Sequence, residues 1–198
     1  MKSFDNQAYR TRLNKGKTSK VEDLETSQGA QTALMACTDN KGPKKVYDDC
    51  SINELLKIVA NIIERVINEN SVQNHVSIYN ASKTPKMSIL DYLIRIVTYS
   101  QATKSTVLCT LILLDRFFEN NNEEILTLLN SFKFLGTSLL LASKFNEDVT
   151  LSNEDFAKVI GVQLSELNNL ENNFIHTLNF DLMISTETFH DYQELMRK

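Results

Sequence analysis

The chain has 198 residues, 42% hydrophobic and 23% charged, enough for one ordinary soluble domain with a real core plus some tail. Only five Gly and two Pro occur, which favours helices over a turn-rich β fold. A net charge of −4 with no dominant basic run argues against nucleic acid as the primary ligand, and the scattered Cys37, Cys50 and Cys109 form neither a disulfide framework nor a zinc spacing.

Residues 1–46 are polar, basic first (Arg10, Arg12, Lys15, Lys17, Lys20) and then acidic (Glu22, Asp23, Glu25). They lack any sustained apolar period, which predicts a disordered tail. Met1 to Asn6 lack the apolar core of a signal peptide. The longest apolar run, Val107 to Leu114, is far too short to span a bilayer. An intracellular protein, cytoplasmic or nuclear, is expected. The predicted folded unit spans 47–184, with 185–198 as a C-terminal helix.

Ser51-Ile52-Asn53-Glu54 is a capping-box pattern. Behind it Leu55, Leu56, Val59, Ile62, Ile63 and Val66 recur at helical spacing to about Asn70. A polar connector through Tyr79 to Pro85 follows. A helix from about Ser88 to Thr98 carries Ile89, Leu93, Ile96 and Val97. Another starts near Thr103 and stops at the Asn120-Asn121-Asn122 run. From Asn130 to Phe145 apolar residues cover nearly every face, so this helix should be central and surrounded. Ser152 with Asp155 opens a short helix that Gly161 closes. A longer one carries Leu164 to Leu178, and Thr186 is expected to cap the last. The strand signal is weak throughout, and the fold class is all-α.

Two charges are not accounted for by folding alone. Lys144 extends the apolar stripe of the most buried helix, and Glu171 sits between Leu167, Phe174, Ile175 and Leu178. One reading is structural: Lys144 supported by a helix C-terminus with its stem snorkelling out, and Glu171 paired to an internal donor. The other brings both to one largely apolar surface patch, where they donate to and accept from the backbone of a docked partner.

At these residues the sequence resembles the cyclin family. Leu140-Leu141-Ala142-Ser143-Lys144-Phe145, Leu114-Asp115-Arg116-Phe117, and Leu170-Glu171 with Leu178-Asn179-Phe180-Asp181-Leu182 are similar to family motifs and follow the family's order. Ser88-Ile89, Asp91-Tyr92-Leu93, Arg95-Ile96 and Ala157-Lys158-Val159 resemble the P/U-type branch, with Ile160 in place of a usual Gly. The resemblance implies a five-helix cyclin box around a buried central helix, flanked by an N-terminal and a short C-terminal helix. It implies a non-catalytic regulatory subunit of a cyclin-dependent-type protein kinase, fixing the kinase C-helix. Lys144 and Glu171 match the pair that clamps the kinase, and Leu141, Phe145, Ile175, Phe180 and Leu182 match positions that pack on the C-helix. Glu147 and Asp148 have two readings, acidic contacts to kinase arginines or, the one favoured, an ordinary solvated helix end. An internal ion pair is expected between Asp115 and Lys86, or Arg95 in its place. Pro85-Lys86-Met87-Ser88-Ile89 departs from the family's substrate-docking motif, and too few residues follow Leu182 for a second box.

Against catalysis, His75, His176 and His190 lack partners at metal-ligand spacing, and no Gly-rich phosphate loop occurs. No cofactor, small-molecule substrate, membrane or nucleic-acid partner is expected. The rival readings are a non-activating helical scaffold and a cyclin-fold nucleic-acid binder of the transcription-factor kind.

Overall fold

The computed structural model describes residues 50–70 and 76–196. The expected disordered tail, residues 1–46, lies outside these. Seven helices and no strand appear among the described residues: α1 (Ile52–Glu69), α2 (Ile89–Ser100), α3 (Lys104–Asn120), α4 (Ser131–Asn146), α5 (Asn153–Ile160), α6 (Leu164–Thr177) and α7 (Thr186–Leu195).

Local chemistry sets most of the boundaries. Ser51 and Glu54 complete the capping box, Ser51 Oγ accepting from Glu54 N at 3.3 Å and Glu54 Oε2 from Ser51 N at 3.0 Å. Ser88, Thr103 and Ser152 cap α2, α3 and α5 in the same way with their hydroxyl oxygens. Gly161, at φ 79°, closes α5 in the left-handed conformation that glycine adopts without strain. The expected cap of α7 is corrected by one residue: Ser185 accepts from Thr188 N at 3.1 Å, and Thr186 is already helical.

The core forms around α4. Phe134 through Ser143 are buried without interruption, and α2, α3, α5 and α6 all pack against this helix. An apolar residue on every face has a helical neighbour to meet, as the all-round pattern requires. The flanking helices are peripheral: α1 packs on α2, and α7 on α3.

The connector between α1 and α2, which reads as polar, hides an anchor. Tyr79 is fully buried and stacks on Phe134, with ring centroids 3.9 Å apart and planes at 14°. Its hydroxyl proton is shared between the Leu170 carbonyl (3.1 Å) and Asn173 Oδ1 (3.0 Å), both on α6. Phe117 and Phe174 complete the aromatic cluster. Nearby, Lys133 on α4 donates to the Asn80 carbonyl at 2.7 Å and pairs with Glu166 on α6 at 2.5 Å. This strap fixes α6 against α4.

Candidate functional site

α4 emerges from the core at Lys144, in its last turn. There its ammonium meets Glu171 Oε1 of α6 at 2.5 Å, with the side chains 37% and 18% exposed. Asn153, the first residue of α5, donates to Glu171 Oε2 at 2.7 Å and to Asn168 Oδ1 at 2.8 Å. The two charges therefore converge from distant parts of the sequence, but they reach each other first. A partner would meet a preassembled ion pair instead of two vacant charges. The pair keeps capacity for it: an ammonium has three donors and a carboxylate about four acceptor positions.

Apolar side chains follow each member of the pair along its own segment. Phe145 follows Lys144 and is 47% exposed. Ile175, half-buried, lies one helical turn beyond Glu171 on the same face of α6. Phe180 N then bonds back to the Ile175 carbonyl at 3.0 Å, and Asn179 N to the His176 carbonyl at 2.9 Å, a Schellman closure. Asn179 and Phe180 are both left-handed, at φ 52° and 61°. Phe180 is 62% exposed with its ring edge against His176, and Met183 is 73% exposed. Leu182 turns inward and packs on the core. Leu141 does not belong to this surface: at 2% exposure it is enclosed by the neighbours of α4, which corrects its expected place in direct contact with a partner.

Two further expectations are corrected by geometry. Glu147 is engaged within the chain: its Oε1 accepts from Thr103 N at 3.0 Å, from Thr103 Oγ1 at 2.9 Å and from the Thr106 hydroxyl. It thus serves the open N–H groups at the start of α3, where a negative charge is favoured. Burial pushes its carboxyl up, but the bonds from Thr106 and Thr103 outweigh this and hold it below the ordinary range. Asp148 is exposed beside it. The ion pair foreseen for Asp115 is not formed. Arg95 Nε donates to the Val159 carbonyl at 3.0 Å, and no Lys86 contact to Asp115 occurs among the described residues. Instead Asp115 Oδ2 accepts from the hydroxyl of Tyr192 on α7 at 2.7 Å. Burial pushes the Asp115 carboxyl up to about 7, more than the Tyr192 bond lowers it, and the charge of Glu119 adds to the rise. A neutral partner from α7 suits a carboxyl that burial already favours in the protonated form.

The family model for cyclins matches residues 10–182. The chain belongs to the cyclin family. It is 30% identical to Cyclin-U2-1 of Arabidopsis thaliana over 73% of this chain and 68% of that protein. It is 29% identical to Cyclin-U4-1 of the same plant over 74% of this chain and 76% of that protein. To the PHO85 cyclin-like protein psl1 of Schizosaccharomyces pombe it is 38% identical over 66% of this chain, but only 54% of that protein. These relatives agree with the P/U-type branch. Cyclins are regulatory subunits, not enzymes. In this cyclin the five box helices are α2 to α6, and the Lys144–Glu171 pair joins the ends of the motifs that carry the resemblance. Among the described residues no helix is long and apolar enough to cross a membrane, and no cluster of His, Cys, Asp and Glu has metal-binding geometry.

Tyr79, Tyr192 and Asn153 escaped the sequence reading. Tyr192 lay on a recognised amphipathic segment, but nothing local marks its hydroxyl as the partner of a carboxyl 77 residues away.

Proposed function

We propose that this chain binds a cyclin-dependent-type protein kinase through the surface around Lys144 and Glu171 and activates it by holding its C-helix in the active position. The observation that carries this reading is the partly exposed Lys144–Glu171 pair on a cyclin fold, with exposed Phe145 next to Lys144 in the chain and exposed Phe180 and Met183 following the helix that carries Glu171. A kinase needs its strand Lys paired with a C-helix Glu and its activation segment ordered. A partner with affinity for only the helix-in arrangement shifts the population by the difference in its affinities for the two states. Each exposed aromatic that becomes buried contributes about 1.5–3 kcal/mol. The ion pair supplies direction, since its spare donors and acceptors suit backbone groups at the end of a helix. The name of psl1 links that relative to PHO85, so a PHO85-type catalytic subunit is the first kinase to test. The reading places the protein in the cytoplasm or nucleus and invokes no cofactor, membrane or nucleic acid.

The test measures binding of a purified PHO85-type catalytic subunit, and its peptide phosphorylation rate, with wild type and with a Lys144→Ala/Glu171→Ala double mutant. Truncating a desolvated charged anchor typically costs about 2–5 kcal/mol, so affinity should fall roughly 30-fold or more. Circular dichroism should show the helices intact. A folded double mutant that binds as tightly as wild type refutes the site. Tight binding with no rise in kinase rate would leave a scaffold and remove the activation step.

A further inference from the structure

Arg116 follows Asp115 on α3, and its side chain serves the segment after α6. Nη1 donates to the carbonyls of Asp181 at 2.9 Å and Met183 at 3.0 Å, and lies 3.5 Å from Asp181 Oδ2. One guanidinium nitrogen carries two N–H groups, so both carbonyls are met from a single atom. Among the described residues these carbonyls have no other donor. The segment belongs to no helix, and it presents Phe180 and Met183 outward while Leu182 turns in. Its near end is tied by Phe180 N to the Ile175 carbonyl and Asp181 N to the Leu178 carbonyl. Arg116 ties the far end.

We propose that Arg116 is a positioning residue for partner binding, ordering residues 180–183 in the free chain so that the exposed Phe180 and Met183 stand ready for the partner that meets the Lys144–Glu171 pair. This rests on the kinase-binding reading given above. The physical reason is preorganisation: a loop that is unordered beforehand loses its backbone freedom during binding, and affinity falls by that amount. The planar, permanently charged guanidinium suits the task, because it holds carbonyls at fixed angles and its side chain is only 21% exposed to competing water.

The test compares wild type, Arg116→Ala, Arg116→Gln, Asp181→Asn and the Lys144→Ala/Glu171→Ala reference, each as the full chain. Amide hydrogen exchange is followed in the free chain and at saturating kinase, and affinity is measured with the same PHO85-type catalytic subunit. Arg116→Ala should speed exchange over residues 181–184 while leaving α3, α4 and α6 protected, and should lower affinity about 10-fold or more. Saturating kinase should restore protection of that loop in the variant, a response that a general loss of packing would not give. Asp181→Asn keeps both backbone bonds and should bind within about twofold of wild type. If Arg116→Ala fails to fold, Arg116→Gln carries the comparison.

Wild-type loop protection in a folded Arg116 variant would overturn the proposal. So would wild-type affinity in that variant when the Lys144/Glu171 reference has lost binding, and then the kinase site itself stands. If that reference also binds as wild type, the kinase reading fails and takes this inference with it. A loss in Asp181→Asn as large as in Arg116→Ala would also overturn it, because the side-chain ion pair and not the carbonyl grip would then be the cause.

Discussion

Phe180 stands at φ 61°, where a side chain crowds its own carbonyl at a cost of about 1–2 kcal/mol, and its exposure of 62% returns little of that by burial. Asn179 before it, at φ 52°, bears the same conformation more easily because Asn tolerates the left-handed region. Strain held at an exposed aromatic fits a residue kept for contact more than for folding. Phe180→Gly should therefore leave thermal stability unchanged or raise it by up to about 1 kcal/mol, while weakening kinase binding. Circular dichroism melts and a binding titration check this. A drop of several degrees in melting temperature would mean that the ring supports the fold. In the sequence, nothing marks Phe180 as strained. Glu147 teaches the same limit: beside Asp148 it reads as a surface acid, and only the arrival of Thr103 and Thr106 from 41 or more residues upstream makes it a helix cap.

The helices themselves follow from periodicity and caps. α1 and α2 show one apolar face each, and α4 is apolar all round because four helices meet it. Gly136 faces side chains from α2 and α5. A Cβ there would sit 2.7 Å from the Tyr92 hydroxyl and 3.0 Å from Ile160 Cγ2. Tyr92 cannot easily swing aside, since its hydroxyl donates to the Phe132 carbonyl at 2.8 Å and its ring is buried. Gly136→Ala should cost about 1–3 kcal/mol through overpacking, despite the better helix propensity of Ala. Adding Tyr92→Phe removes the clashing oxygen and should recover part of that loss in urea unfolding. Full additivity of the two substitutions would show that the close approach is not the cause. The spacing of apolar residues reveals that α4 is central, but not which neighbour touches Gly136.

At the scale of the whole molecule, the Asp115–Tyr192 bond docks the C-terminal helix onto the box and gives stability a pH dependence. The Asp115 carboxyl titrates near 7 in the fold against 3.8 for an ordinary aspartate, so protonation favours the folded state. Its contribution is complete below the unfolded value and is lost as pH rises through about 7. Glu147 acts in the opposite sense: its folded value is depressed, so its contribution is present above the ordinary glutamate range and is lost as pH falls through the lowered value. Between pH 5 and 8 Asp115 therefore outweighs Glu147, and Glu119, whose carboxyl burial also raises, acts in the same sense as Asp115. Asp115→Asn keeps an oxygen for Tyr192 and removes the titration, so the difference in melting temperature between pH 5 and pH 8 should shrink relative to wild type. An identical pH profile in the variant would assign the titration to another group.

Helix positions, the centrality of α4 and the two out-of-place charges were all legible in the residues, because each depends on neighbours within a turn or two. The motifs around Lys144 and Glu171 also carried the family. Tertiary structure alone decided who meets whom: Lys144 with Glu171, Asp115 with Tyr192 and not with Lys86 or Arg95, Glu147 with the start of α3, and Leu141 inside. Hydrogen bonds and ion pairs act over about 3 Å, and residues tens of positions apart reach that distance only after the helices have packed.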